Sequence, residues 1–475
     1  MNHKYKSLIK DTFVFSLGKF GSKMVLFFLV PLYTNYLSKP EYGTAELVFT
    51  ISQLLMPLFS LVVFDSVIRF GLMKGVKREN VLRNAFFVLG ITIVATGVAT
   101  PLFSVYNGIS EWKLYLSIMI VLAAVMDVEM NYLKIKGKNL TFSIISIVQA
   151  LVLAGSNILL LACLSFGIEG YLLSTIISYA CCVVLAFLVG GVLSDLRKSE
   201  FDKTLLKEML FFSVPLIMNN ISWWVIQSSD KLMVEGMISA AALGLYTAAA
   251  KIPSLINVVV SVFQQAWGIS SIKEIESSKD TRFFSGVFKV YSIGVFICCI
   301  LLNTIVKPFM MVYVGKEFVD SWRYVPLLVA SAGFSAISAY YGSLYSALKK
   351  TINNMITTVI AAVANLVINL LFIQVCGVWG AIIGTVAAYI IIAYLRMYDI
   401  SKYIKLDYSV FRFVINSLLV LGQAIIVSID FYPIELSCII LVVYLIYNHK
   451  TVRNLIKKDK RQLSSNSLYE DGKNE

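Results

Sequence analysis

The sequence predicts an all-α, polytopic membrane protein of about 14 transmembrane helices, arranged as two parallel six-helix repeats plus a C-terminal pair. Three observations carry that prediction. Of the 475 residues 58% are apolar and 15% charged, where globular chains hold about 45–50% and about 25%, and the mean hydropathy is +0.79. The apolar residues gather into runs of about 20, the length a helix needs to cross roughly 30 Å of hydrocarbon. Between the runs, loops rich in Lys and Arg alternate with loops poor in them.

The first six runs are Thr12–Tyr36, Tyr42–Phe64, Leu82–Val105, Trp112–Leu133, Leu140–Leu161 and Tyr171–Leu193. Six more follow: Met209–Val234, Ala241–Trp267, Phe283–Val306, Tyr324–Leu348, Ile352–Gln374 and Trp379–Tyr398. Val410–Ile429 and the short Pro433–Tyr447 form the last pair. The runs lack the alternation of a membrane barrel, so strands are excluded. Three lysines precede the first run and no small-residue cleavage site follows it, so it reads as a retained span.

With both ends inside, the inner segments hold 30 of the 41 basic residues and the outer loops five: Lys39, Lys113, Lys307, Lys316 and Arg323. Basic residues accumulate on the cytoplasmic side, which sets the direction. Cysteine labelling should therefore place Lys77, Lys136, Lys203 and Lys350 inside and Lys316 outside. An outside signal at Lys136 or Lys350 would overturn this topology.

The composition removes several classes of function. The net charge of +13 punctuates apolar runs instead of forming the solvated basic face of a nucleic-acid protein. The only histidines are His3 and His449, one in each terminal region, so a zinc-protease motif or a Ser-His-Asp triad cannot form in the core. The seven cysteines have no CxxC spacing and read as small apolar residues, not as metal ligands or disulfides. No GxxxxGK[ST] phosphate loop occurs. No loop is long enough for a separate catalytic domain, so the expected activity is non-enzymatic, without cofactor or metal, and resides in the helix bundle.

An internal echo supports the two-repeat reading. Leu37-Ser38-x-x-Glu41-Tyr42-Gly43 returns 201 residues later as Ile238-Ser239-x-x-Ala242-Leu243-Gly244. Gly167-Ile168-Glu169-Gly170 with Tyr179 returns 210 residues later as Gly377-Val378-Trp379-Gly380 with Tyr389. Both echoes fall at equivalent topological positions, which implies parallel halves with a transport site between them. The expected organisation is an N-terminal lobe over 1–200, a C-terminal lobe over 201–400, an extra pair over 401–449 and a basic tail over 450–475.

These residues also resemble a family. Gly18-Lys19, the stretch Pro31-Leu32-Tyr33-Thr34-Asn35-Tyr36-Leu37-Ser38 with Glu41-Tyr42-Gly43, Ile68-Arg69-Phe70, and Leu243-Gly244-Leu245-Tyr246 look like polysaccharide biosynthesis flippases. These are the Wzx-type members of the multidrug/oligosaccharidyl-lipid/polysaccharide exporter superfamily. The resemblance covers nearly the whole chain. It implies translocation of an undecaprenyl-pyrophosphate-linked oligosaccharide (an O-antigen, capsule or exopolysaccharide unit) from the inner to the outer leaflet of a bacterial plasma membrane. The partners it implies are that lipid-linked substrate, membrane lipids, a polysaccharide polymerase and a chain-length regulator. The alternatives are a small-molecule exporter of the same superfamily and a membrane component of a glycan polymerase complex.

Ionisable groups at span depth are the candidate site, because burying a charge there costs about 2.5–3.5 kcal/mol even on gentle scales. Lys19 and Lys23 share one face of the first span, and Lys23 lies roughly 16 Å along it, near mid-depth. Lys251 is equally central in the eighth span. Lys231 and Asp230 lie one turn from the end of the seventh, and Arg69 closes the second beside Asp65. The expected cavity cations are Lys19, Lys23, Arg69, Lys251 and Lys231, with Asp230 as the acidic candidate for ion coupling. Asp65–Arg69 and Asp230–Lys231 read as rim ion pairs, Glu46, Asp127 and Glu129 as solvated carboxylates near span ends, and Trp223 and Trp224 as facing lipid. Mid-depth thus carries lysines without carboxylates, which suits an anionic pyrophosphate better than a cationic drug. With Lys23 and Lys251 unpaired, an inside-negative potential would drive the substrate outward and pull the empty cavity back.

Overall fold

The computed structural model describes residues 24–73, 75–277 and 280–449, and among these no strand occurs. Eleven described helices are long and apolar enough to cross a membrane, twelve if one bent pair counts as a span. In chain order the helices are α1 (Met24–Tyr36), α2 (Lys39–Phe59), α3 (Val63–Gly71), α4 (Arg78–Ala99), α5 (Lys113–Ile135) and α6 (Asn139–Asn157). Then come α7 (Gly167–Leu188), the short α8 (Val192–Lys198), α9 (Lys203–Met237), α10 (Ala240–Ala250) and α11 (Ser254–Ser277). The remainder are α12 (Thr281–Tyr313), α13 (Val325–Ala347), α14 (Thr351–Cys376), α15 (Val378–Ser401), α16 (Val410–Ser428) and α17 (Pro433–His449).

The polytopic all-α expectation holds, with three departures. The second run is not one straight helix: α2 and α3 meet at 53°. Pro57 withdraws a backbone donor from α2, and Leu61 and Val62 then turn left-handed at φ 50° and 53°. The eighth run is divided at Lys251–Pro253. Proline cannot continue the hydrogen-bond ladder and disfavours helix in the residue before it, so α10 stops at Ala250. The first and last runs appear as α1 and α17, both shorter than a full span among the described residues; residues 12–23 of the first lie outside those residues.

The chain forms two compact units. The first holds the described residues of Met1–Lys251 with Val312–Asp320 and Ala362–Gly384. At its centre α2 packs on α10 with almost no space between backbones. A Cβ on Gly43 would lie 1.9 Å from the carbonyl oxygen of Ala240, and one on Gly244 would lie 2.2 Å from that of Lys39. Lys39 and Ala240 are 201 residues apart, as are Gly43 and Gly244. The contact is therefore reciprocal, as a local two-fold relation between the echoed motifs produces. The caps correspond as well. Ser38 donates through its N–H and Oγ to the Glu41 carboxylate at 2.8 and 2.7 Å, and Ser239 Oγ accepts from the Ala242 N–H at 3.2 Å. Gly167 and Gly377, the second echo, both open their helices from the left-handed region, at φ 56° and 60°.

The second unit holds Ile252–Met311, Ser321–Ala361 and the described residues of Thr385–Glu475. Its core is aromatic: Trp267 stacks on Tyr340 at 4.7 Å and Phe263 on Tyr291 at 4.0 Å. Arg396, counted above among the inner-loop cations, is instead buried at 1% exposure. It donates to the Ser338 carbonyl at 2.9 Å and to Thr358 and Thr357 hydroxyls at 2.9 and 3.2 Å, tying α15 to α13 and α14. Lys307 grips both oxygens of Asp430 at 2.6 and 2.7 Å, beside the Trp322 ring. All seven cysteines are free.

At one helix end of the first unit, Lys136 and Tyr132 donate to Asp195 of α8 at 2.5 and 2.9 Å. Partial burial pushes the Asp195 carboxyl up, but those two donors outweigh it and hold the group below the usual carboxylate range. A depressed carboxylate stabilises the fold above its unfolded pKa, and that contribution disappears as pH falls through the folded one. Asp195→Asn should therefore cost about 1 kcal/mol at pH 7. Thermal unfolding of both proteins should show the difference closing as the solution becomes more acidic than pH ~4.

Candidate functional site: a carboxylate shared by two lysines

Four helical elements of the first unit bring ionisable side chains to one point. Glu46 projects from α2 two turns after its start and is 1% exposed. Lys251, in the turn that ends α10, donates to Glu46 Oε1 at 2.7 Å. Lys231 of α9 donates to Oε2 at 3.1 Å. The Tyr171 hydroxyl of α7 donates to Oε1 at 3.1 Å. The position of Lys251 has its own cause, because an ammonium at a helix C-terminus meets the negative end of the macrodipole.

The three side chains differ in burial: 17% exposed for Lys231 and 28% for Lys251, against 1% for Glu46. Around the carboxylate the rings of Tyr33, Tyr42 and Tyr171 pack with centroids 4.8–6.5 Å apart. The Tyr42 hydroxyl, one turn before Glu46, is buried with no hydrogen-bond partner among the described residues. Two ammonium groups on one carboxylate leave one positive charge in excess, with phenolic donors beside it.

Several sequence expectations change here. Glu46 is not solvated; it is the centre of the cluster. Lys251 is not unpaired, so the charge on an empty site is smaller than two free lysines would give. Lys231 pairs with Glu46 and not with Asp230 beside it. Asp230 is buried and accepts from the Tyr246 hydroxyl and, at 2.9 Å, from the Lys231 N–H. Arg69 is exposed in the last turn of α3, is not among the partners of Glu46, and forms no ion pair with Asp65. Lys19 and Lys23 lie outside the described residues. Glu129 of α5 is fully buried, and neither carboxyl oxygen has a partner among the described residues. Trp224 is partly buried and donates from Nε1 to the Thr50 carbonyl at 3.1 Å, so it fastens α9 to α2 and does not face lipid alone.

On sequence alone Lys231 reads as a rim residue and Lys251 as unpaired, and Glu46 is not offered as their shared partner. The signal was present, because Glu46 is the only charged residue in the Tyr42–Phe64 run. A lone carboxylate in 23 residues of apolar sequence demands a partner whatever its distance from the helix end.

Comparison with known proteins then decides the family. The model of the polysaccharide biosynthesis protein family matches residues 8–268, more than half of the chain. The chain belongs to that family. An uncharacterized membrane protein of Haemophilus influenzae is 23% identical over 274 residues, which are 55% of this chain and 64% of the relative. The match thus spans less than two thirds of that relative's length. Among solved structures, the lipid II flippase MurJ in an inward closed conformation superposes with a TM-score of 0.68 at 14% identity, covering 94% of this chain and all of that one. An inward-facing multidrug resistance transporter of the MATE family in the MOP superfamily gives 0.63 at 13% identity, covering 81% of this chain and all of that one. These likenesses are of fold, and they join this family member to the same membrane architecture.

Proposed function

We propose that this polysaccharide biosynthesis family member flips an undecaprenyl-pyrophosphate-linked oligosaccharide from the inner to the outer leaflet by alternating access. The observation that carries the reading is the lysine pair: two ammonium groups converge at one place in an apolar helix bundle. A diphosphate presents about two negative charges and several acceptor oxygens, which two ammonium groups and phenolic donors match. The bacterial plasma membrane with both termini cytoplasmic, and association with a polymerase and a chain-length regulator, belong to the same proposal. So do the roles of Lys19, Lys23, Lys231, Lys251 and Arg69 as cavity cations and of Asp230 in ion coupling, and the division into lobes at residue 200.

Deleting the gene in its host should remove surface glycan and leave lipid-linked intermediates on the inner leaflet; the chain expressed in trans should restore export. Unchanged surface glycan, together with active extrusion of cationic dyes, would favour the exporter reading.

Energetics give a separate expectation. Moving one elementary charge across the membrane is worth about 2.3 kcal/mol per 100 mV, so two give about 4–5 kcal/mol. Because Glu46 offsets one lysine, the loaded site carries about one net negative charge and the empty site about one net positive charge, so the outward step and the return share that gain about equally. Valinomycin with potassium should therefore slow flipping at fixed pH and sodium gradients. Transport that stops only on collapse of a pH or sodium gradient would instead point to a coupled carboxylate, with Asp230 examined first.

A further inference from the structure

We infer that Glu46 is a built-in occupant of the anion site: it holds Lys231 and Lys251 when no substrate is bound, and a diphosphate binds by displacing it. The inference rests on the flippase reading only for its choice of diphosphate as the ligand. Three features support it. The two oxygens of the carboxylate are divided between the two ammonium groups, at 2.7 and 3.1 Å, and Tyr171 adds a third donor at 3.1 Å. That is a convergent donor set for an oxyanion, filled by the protein's own. Second, structural neutralisation of one buried carboxylate needs one lysine; a second is an excess cation whose desolvation a fold-stabilising pair would not require. Third, the Tyr42 hydroxyl beside the cluster is buried with its hydrogen-bonding capacity unused among the described residues, and a ligand with more acceptor atoms than a carboxylate would engage it.

Glu46 is the most buried member of the cluster, at 1% exposure against 17% and 28% for the two lysine side chains. A diphosphate replaces one negative charge on the lysine pair with about two, which completes their neutralisation but sets the displaced carboxylate against it. Like charges at this range repel. Glu46 therefore weakens substrate binding and hastens release, so it tunes affinity toward turnover and is not itself a substrate contact.

The test uses the purified full chain and inorganic pyrophosphate as probe, with affinity read by titration calorimetry. E46Q keeps the size of the side chain and removes its charge, and should bind pyrophosphate at least tenfold more tightly than the wild type. K231Q/K251Q should lose binding. The double variant E46Q/K231Q has the same net charge as the wild type but lacks the Glu46 carboxylate that holds Lys251, and should bind no more weakly than the wild type. E46Q binding at wild-type strength or weaker overturns the inference. If E46Q fails to elute as a monodisperse protein, the double variant decides, and binding weaker than wild type overturns it. Absence of pyrophosphate binding in every protein overturns the anion site as well. Tighter binding by E46Q in a chain that restores no surface glycan would leave the inference standing and remove the flippase reading.

Discussion

Replacing Lys251 with Ala should abolish glycan export while the protein remains abundant in the membrane, and replacing it with Arg should retain part of the activity. Lys251 is the closer and more exposed of the two lysines on Glu46. Removing it takes away one of the two positive charges that a diphosphate would meet under the proposed function. It also leaves the Glu46 carboxylate satisfied by Lys231 and Tyr171, so the anion site becomes neutral and self-contained. Truncating one partner of a close charge pair costs about 2–5 kcal/mol, which corresponds to roughly a 30-fold loss or more. Arg preserves the charge but brings a planar fork where the site holds a compact ammonium. Surface-glycan staining against membrane abundance, variant by variant, reads the effect. Full export by Lys251→Ala would return this lysine to a purely structural role.

Gly244→Ala should be among the most damaging single-methyl changes in the first unit. The added Cβ would lie 2.2 Å from the backbone carbonyl oxygen of Lys39, and backbone cannot swing aside as a side-chain tip can. The α2 and α10 axes must separate, which also draws Glu46 of α2 away from Lys251 at the end of α10. Overpacking a close contact costs typically 1–3 kcal/mol and occasionally more. Gly43→Ala, with its Cβ 1.9 Å from the Ala240 carbonyl oxygen, should behave alike. Gly90→Ala on α4 meets nothing within 4 Å and serves as the control. Thermal aggregation measured in detergent should rank Gly43→Ala and Gly244→Ala well below the wild type and Gly90→Ala beside it. Wild-type stability in both close-contact variants would contradict the tight α2–α10 packing.

Most of the architecture was legible because span length and loop charge are direct consequences of the bilayer, so a hydropathy reading finds them residue by residue. The glycine echo was legible for a physical reason too: only Gly permits the Gly43–Ala240 and Gly244–Lys39 approaches. Helix continuity was less so. The bend after Pro57 and the turn at Lys251–Pro253 lie inside unbroken apolar runs, where composition does not change even though the hydrogen-bond ladder does. Both prolines were visible, and at Pro253 the local rule against helix in the preceding residue outweighs the apolar run. At the site, depth along the helix singled out Lys251, but put Lys231 and Glu46 alike near span ends and so misjudged Glu46. Depth measures distance from the helix end, whereas burial of Glu46 is set by the neighbours α7, α9 and α10, which one helix read alone does not show.

The most direct measurement is translocation in proteoliposomes holding the full chain, a fluorescent undecaprenyl-pyrophosphate-linked oligosaccharide and an imposed inside-negative potential. Protein-dependent movement of the lipid between leaflets is expected, and it should be lost in the Lys231→Ala/Lys251→Ala double variant. Movement by that variant at the wild-type rate, or none by the wild type, would contradict the proposed function.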